Sequence, residues 1–551
     1  MDVNEAIVKS LEQVGVDHVF GGSGQVNGSM LLALKRSSRI KTVIIRNEQA
    51  ASFMACGYAM FSDKLGVCFA TGGPGEFNLF SGLAVAYSDS LPVLAISGYT
   101  SVPDRGKGAL NEATGLSRTP DSPKMFAATT KKTFVIENPD QACDIIEEAI
   151  NLAYEGRPGP VHIHVPKNVT IMQVNNFREI KLDIKPILPD IRKIGEAAEL
   201  LAKAIAAGDQ ITAILGYGIT RSHAEKEILS FVEKFQVPFC LTMDAKGLLP
   251  EDHALSLGVY GTSGDPGANK YLNASKLVLA VGNSFAQNAT FGFKPDLFSG
   301  KTLIHINIDP HEIGKVYKAA CGIAGDAKPA ITALTQELSK KTGAAAAKNI
   351  TKEKWYDRSP EKTPSGKIHP ADLVKALSRN LPADTIVMGD AGSHMLWLNC
   401  YLNLAKNQRY QNPGSFGPMA SHVNGAIGVK CANPDKHVVC GCGDGAYLMA
   451  GFELLTAIQY DIPVTWVIFN NGEFNVIKKF LINLFNEHAF MTFKNPDYVK
   501  YAEACGSHCA RIEKLEDFEP AFKKALASKT AALIDVVVEG DVYPPFALGK
   551  V

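Results

Sequence analysis

The sequence predicts an α/β protein with three doubly wound parallel sheets. Short apolar runs of strand length alternate with longer stretches of helical periodicity. Several runs end in glycine-rich turns, such as Gly21-Gly22-Ser23-Gly24 and Thr71-Gly72-Gly73-Pro74-Gly75. Thr170–Asp190, weakly periodic with Pro186 and Pro189, and the mostly polar Lys340–His369, with Pro360 and Pro364, divide the 551 residues into three blocks. One core cannot hold a chain of this length. The expected domains are residues 1–170, 191–340 and 370–551.

In the first block, strands are expected at Asp17–Phe20, Thr42–Ile45, Gly66–Ala70, Val93–Ser97 and Val161–Val165. The second block offers Ile211–Leu215, Leu277–Val281 and Thr302–Asn307. In parallel sheets, ligands bind where such strands end. Gly300-Lys301-Thr302 is no phosphate loop, because Pro295 stands where its first glycine belongs.

The third block holds the most informative stretch, His437–Phe474. His437–Cys442 reads as a buried strand. Gly443-Asp444-Gly445 reads as a tight turn, in which two glycines take up backbone geometry that other residues resist. Leu448, Phe452 and Leu455 recur at i, i+4 and i+7, one face of a helix. Asp461-Ile462-Pro463 ends that helix, since the residue before proline avoids the helical region. Val464–Phe469 is a second strand, which delivers Asn470-Asn471. The Asp444 carboxylate and the Asn471 amide suit Mg²⁺, which takes oxygen ligands and shares them with phosphates. The backbone N–H groups of a helix start suit the phosphates themselves.

Composition narrows the class. Lys+Arg and Asp+Glu are both 56, so the zero net charge gives no footprint for nucleic acid. No apolar run reaches the length of about 18 residues that predicts a membrane span. The start, MDVNEAIVKSLEQVGV, is an acid-bearing amphipathic helix rather than a signal or transit peptide. Eleven scattered cysteines, an odd count, point to reduced thiols and a cytoplasmic location. Cys440-Gly441-Cys442 lies inside a strand without a second cysteine pair, so packing is expected there rather than zinc.

Gly-Asp-Gly, then residues 446–469, then Asn-Asn resembles the diphosphate motif of thiamine diphosphate (ThDP) enzymes. The resemblance names the three domains pyrimidine-binding, central and diphosphate-binding. It implies Asp444, Asn471 and the carbonyl of Glu473 as Mg²⁺ ligands, with Gly443, Gly445 and Ala446 beside the cofactor. Asp390–His394 resembles the other diphosphate contact, through Ser393 and His394. Gly414–Met419 resembles the loop that sets an apolar side chain under the thiazolium, which implies Met419 beside Gly417.

Glu48, on local grounds an acid favoured at a helix N-terminus, stands in Arg46-Asn47-Glu48-Gln49-Ala50-Ala51. That segment resembles the family's RxEQxA, whose glutamate faces the aminopyrimidine ring and promotes proton loss. Gly73–Gly98 and Gly156–Val169 also resemble family segments. In this family the glutamate and the diphosphate motif meet across a subunit interface. A homodimer or homotetramer is therefore implied.

Within the family the chain looks most like the acetolactate synthase and pyruvate oxidase group. KGALNEATG at Lys107–Gly115 lacks the paired histidines of pyruvate decarboxylase. Gln25, Asn111, His422 and Phe480 depart from acetolactate synthase at active-site positions. Gln25, Asn111, Ile477 and Phe480 are the candidate substrate contacts. Gly282–Asn288 lacks the arginine and aspartate of the flavin-binding members, which leaves FAD, ADP or nothing for the central domain. The expected activity is ThDP- and Mg²⁺-dependent bond making or breaking on a 2-keto acid such as pyruvate. The alternative is a 2-hydroxyacyl-CoA or oxalyl-CoA lyase or decarboxylase.

Overall fold

The structure, a computed structural model, describes residues 1–545. Among them, eighteen strands form three six-stranded sheets. Every strand pairing is parallel. The first sheet contains β1 (His18–Gly21), β2 (Lys41–Ile44), β3 (Gly66–Ala70), β4 (Val93–Tyr99), β5 (Lys132–Val135) and β6 (Val161–Pro166). Its order is β2-β1-β3-β4-β6-β5. The second contains β7 (Ile211–Leu215), β8 (Phe239–Leu241), β9 (Ser256–Val259), β10 (Leu277–Val281), β11 (Thr302–Asn307) and β12 (Cys321–Ala324). Its order is β12-β11-β10-β7-β8-β9, the arrangement of dinucleotide folds, with the switch point between β7 and β10. The third contains β13 (Ile386–Gly389), β14 (Arg409–Gln411), β15 (Val438–Gly443), β16 (Thr465–Asn470), β17 (His508–Ile512) and β18 (Ala532–Val537). Its order is β14-β13-β15-β16-β18-β17.

Helices cover both faces of these sheets, so β3, β4 and β6 are buried along their whole length and read as continuous apolar runs. One apolar core runs without a break from the first sheet unit into the third. Its centre is the crossing of helix Glu48–Ser62, capped by the Asn47 side chain, with helix Ser421–Ala432. Glycine permits that approach. A Cβ on Gly57 would strike the Gly425 carbonyl, and one on Gly428 the Met54 carbonyl.

Two local expectations are corrected. Gly443-Asp444-Gly445 is not a turn. Gly443 closes β15 with an extended φ of −77°, and Asp444 opens helix Asp444–Ala450. The glycines are there for space: a Cβ on Gly443 would lie 2.9 Å from His394 Nδ1, and one on Gly445 2.8 Å from Phe474. Leu448, Phe452 and Leu455 do not form a buried helix face either. A 3₁₀ turn at Gly451–Glu453 breaks the helix, and Phe452 is 68% exposed. The core-facing place goes to Glu453, whose carboxylate accepts the N–H groups of Arg46 and Asn47 at 2.9 and 3.0 Å. Cys440 and Cys442 are buried in the core. No helix among the described residues is long and apolar enough to cross a membrane.

Candidate active site

A cavity of about 310 Å³ opens at the C-terminal edge of the third sheet. Besides Pro370, Val538 and Glu539, four segments line it, each leaving a different strand. Ala391–His394 follow β13, Gly417 and Met419 follow β14, Gly443–Ala446 close β15 and open the next helix, and Asn471 and Glu473 follow β16.

Asp444 is the electrostatic centre. It is 2% exposed. Its Oδ2 accepts from the N–H of Asn471 (3.1 Å), the N–H of Gly472 (2.6 Å) and Asn495 Nδ2 (2.7 Å). Its Oδ1 accepts from the Gly445 N–H at 2.9 Å. Burial pushes its carboxyl upward, against these donors. No basic side chain among the described residues lies within ion-pair distance of it. The Asn471 amide oxygen accepts the Glu473 N–H at 3.0 Å. The Glu473 carboxylate turns away to Lys478, which also reaches Asp541 at 3.1 Å.

His394 is buried, and desolvation pushes its imidazole down to about 3. It is neutral, and Nε2 accepts the Gly443 N–H at 3.2 Å. Asp390 holds the Met419 loop. Its two oxygens accept the N–H groups of Ala420 and His422, each at 2.8 Å, across the left-handed Ala420 that starts the next helix. Burial lifts Asp390 to about 6.

The first sheet presents its own edge. Glu48 opens the helix after β2 and accepts from Asn78 Nδ2 at 2.9 Å. A Cβ on Gly75 would lie 3.2 Å from Glu48 Oε1. Gln25 is exposed just after β1. Asn111 adopts a left-handed φ of 59° and places its carbonyl over Gly73. The Glu112 carboxylate fixes that loop by accepting the N–H groups of Gly106, Gly108 and Ala109. Every residue lining the 310 Å³ cavity lies between Pro370 and Glu539, so Glu48, Gln25 and Asn111 stand outside it.

Three family models match the chain in order. They describe the thiamine pyrophosphate enzyme N-terminal TPP binding domain at residues 1–117, its central domain at 196–334 and its C-terminal TPP binding domain at 390–536. The acetolactate synthase large subunit of Corynebacterium glutamicum is 31% identical, over 99% of this chain and 88% of that protein. The chain belongs to the acetolactate synthase type of thiamine pyrophosphate enzymes. The probable acetolactate synthase large subunit of Methanococcus aeolicus is 32% identical over 98% of this chain and 92% of its own length. The acetolactate synthase of Mycobacterium bovis is 30% identical over 99% and 90%.

The residues present fit the cofactor of these enzymes. A buried carboxylate with no basic partner among the described residues suits a cation as its neighbour. The cavity beside it has walls of Gly392, Gly443 and Gly445, where a Cβ would crowd His394 or Phe474. The structure gathers Ser393, His394, Gly417, Met419, Asp444, Ala446, Asn471, Glu473 and Ile477 around this one cavity. Phe480 lies one helical turn beyond Ile477 and does not line it.

Sequence reasoning missed Asn495, which bridges Asp444 and the Asn470 side chain. It sits before Pro496 in a polar segment without periodicity, and nothing local marks it. It also gave Asn78 no role of its own, although that residue ends Gly-Pro-Gly-Glu-Phe-Asn beside the glutamate.

Proposed function

We propose that this ThDP enzyme is a Mg²⁺-dependent carboligase that decarboxylates a 2-keto acid, pyruvate first, and passes the acyl unit to an acceptor. The observation that carries it is Asp444: a buried carboxylate set among N–H donors and facing no cation, with Asn471 beside it. Asp444, Asn471 and the Glu473 carbonyl would hold Mg²⁺, and Ser393 and His394 would face the diphosphate. Met419, half-buried against the core, would bend the cofactor. ThDP, when bound, supplies the nucleophilic carbon and the electron sink. Glu48 handles the proton at the aminopyrimidine, an acid–base contribution of roughly 10²–10⁴-fold.

The working site would then combine two copies of the chain, a reading supported by the cavity's having no lining residue from the first unit. The exposed Leu448, Met449 and Phe452, just after Asp444, give a second copy an apolar face to cover. A homodimer is the smallest such unit, and a homotetramer contains it. Ile477 and Phe480 lie on helix Asn475–Phe485, which buries only Asn475 and Lys478 and leaves apolar side chains free for substrate. Gln25 and Asn111 would meet the substrate from the partner's first unit.

A groove of about 1250 Å³, lined by the central unit together with residues of the first and third, runs past Gly216 and Gly282 at the central sheet's switch point, where a nucleotide such as FAD or ADP would lie. The relatives carry the acetolactate synthase name, which favours the keto acid over the acyl-CoA alternative.

The test is pyruvate with purified protein, ThDP and Mg²⁺, with carbon dioxide and product followed by mass spectrometry. Turnover that stops with a chelator and returns with Mg²⁺ is expected. Inactivity across a 2-keto acid panel, with turnover of an acyl-CoA instead, would overturn the reading. The absorption spectrum of the same sample decides on flavin.

A further inference from the structure

Behind the glycine-rich turn of the first unit lies a buried polar cluster. Glu76, Ser97, His162 and His164 are each at most 1% exposed. Glu76 Oε1 accepts the Gly73 N–H at 2.9 Å, and Oε2 accepts the Ser97 hydroxyl at 2.8 Å. His164 Nδ1 stands 3.2 Å from the same Oε2. His162 Nε2 meets Ser97 Oγ at 2.9 Å, and His164 Nδ1 meets it at 3.1 Å. The other ring nitrogens, His162 Nδ1 and His164 Nε2, have no partner, and beyond the cluster His164 Nδ1 meets only Ser122 Oγ, at 3.4 Å.

Glu76, His162 and His164 are residue types that bind metals, and their ligand atoms lie within 4.8 Å of one another. The Ser97 hydroxyl already makes hydrogen-bond contacts with all three, which fills the place an ion would take. The cluster is therefore a clamp. It ties β4 and β6 to Gly73, whose φ of 64° and contact with the Asn111 carbonyl fix the turn. The short helix Pro74–Asn78 leaves from that turn and sets Gly75 and Asn78 against Glu48.

We infer that Glu76, clamped by Ser97 and His164, is a positioning residue for Glu48, and that it acts through the Gly73–Asn78 turn and the Asn78–Glu48 hydrogen bond. This rests on the reading of Glu48 as the proton-handling group. Misplacing a catalytic group by about 1 Å can cost roughly 10²-fold. Glu76→Gln is expected to lower kcat by about 10–100-fold. KM for the keto acid and the ThDP dissociation constant should stay within about 3-fold, because neither ligand touches Glu76.

A position that acts through Glu48 has nothing left to act on once Glu48 is gone. In a Glu48→Gln background, Glu76→Gln should therefore cause no further slowing of deuterium exchange at the reactive carbon of the bound cofactor. Asn78→Ala, an exposed change, should reproduce the kcat loss and carries the test if Glu76→Gln does not fold. Full kcat in either variant overturns the inference. So does an equal added loss in the Glu48→Gln background, or one zinc bound per chain. If Glu48→Gln itself turns over normally, the proton-handling reading fails; if Glu48→Gln is inactive while Glu76→Gln and Asn78→Ala are unimpaired, only the clamp fails.

Discussion

The first and third sheets repeat one connectivity, β2-β1-β3-β4-β6-β5 and β14-β13-β15-β16-β18-β17. Both deliver their candidate functional groups on segments that leave the first four strands. In the first unit these are Gln25, Glu48, the Gly73–Asn78 turn and Asn111. In the third they are His394, Met419, Asp444 and Asn471. The helices that follow the second strand of each, Glu48–Ser62 and Ser421–Ala432, are equivalent in the topology and pack against each other. The scaffold is shared, and the chemistry sits in what the strand ends carry. Asp444 is buried and held by four N–H donors, which suits a fixed ion. Glu48 is half-buried and held by one asparagine, which suits a group that takes and gives a proton.

The strongest way to break this comparison is to remove each carboxylate in turn. Asp444→Ala should abolish ThDP binding at any ordinary Mg²⁺ concentration, and with it turnover. Glu48→Gln should leave ThDP and Mg²⁺ affinity near the wild-type value and lose roughly 10²–10⁴-fold in kcat. Calorimetric ThDP titration beside steady-state rates separates the two. Loss of binding in Glu48→Gln, or retained binding in Asp444→Ala, would mean that the units do not divide the work this way.

That division was partly legible in the sequence, because Gly-Asp-Gly and Asn-Asn are close in the chain and their oxygens share one strand edge. The strands buried on both faces were legible too: β3, β7, β10 and β11 fall on the expected residues. What could not be read follows from geometry. β5 is half-exposed, β8 and β14 have three residues each, and β18 carries the buried Asp535 paired with Arg511. None of these is an apolar run long enough to stand out. Asn495 reaches Asp444 by a tertiary approach that no spacing announces. The glycines around Asp444 were legible as glycines but not as space for His394 and Phe474, since only the fold brings those rings near.

The helix crossing joins the two units, and Gly428→Ala sharpens its role. The added methyl meets the Met54 carbonyl, which cannot rotate away as a side chain would. Overpacking of this kind costs about 1–3 kcal/mol. A lowered Tm is expected while the ThDP-loaded protein still turns over its substrate. An unchanged Tm would show that the units tolerate separation at this point.

Asn495→Ala tests whether the carboxylate needs its outer donor. Residues that orient a metal ligand are typically worth about 10–100-fold in metal affinity. The Mg²⁺ concentration at half activation should rise by that factor, with kcat at saturating metal nearly intact. A fall in saturated kcat without any shift in Mg²⁺ dependence would remove Asn495 from the ion's support.

The smallest expected effect concerns His422, the residue after the left-handed Ala420. Burial pushes its imidazole down to about 3, and its Nε2 has no partner. The folded chain therefore keeps it neutral, while the unfolded chain takes up a proton below about pH 6.5. The unfolded state binds more protons in that window, so this histidine's stabilising contribution is present above it and is lost as pH falls toward 3. His422→Leu removes the proton uptake. Relative to wild type, the variant should gain about 1.4 kcal/mol per pH unit below 6.5, whatever its offset at neutral pH. Asp390, raised to about 6, titrates in both proteins and cancels in the difference. Urea midpoints compared at about pH 7 and about pH 5.5 give the slope. Parallel pH profiles would mean that His422 is protonated in the folded chain, and that the Met419 loop packs on a charge rather than on a neutral ring.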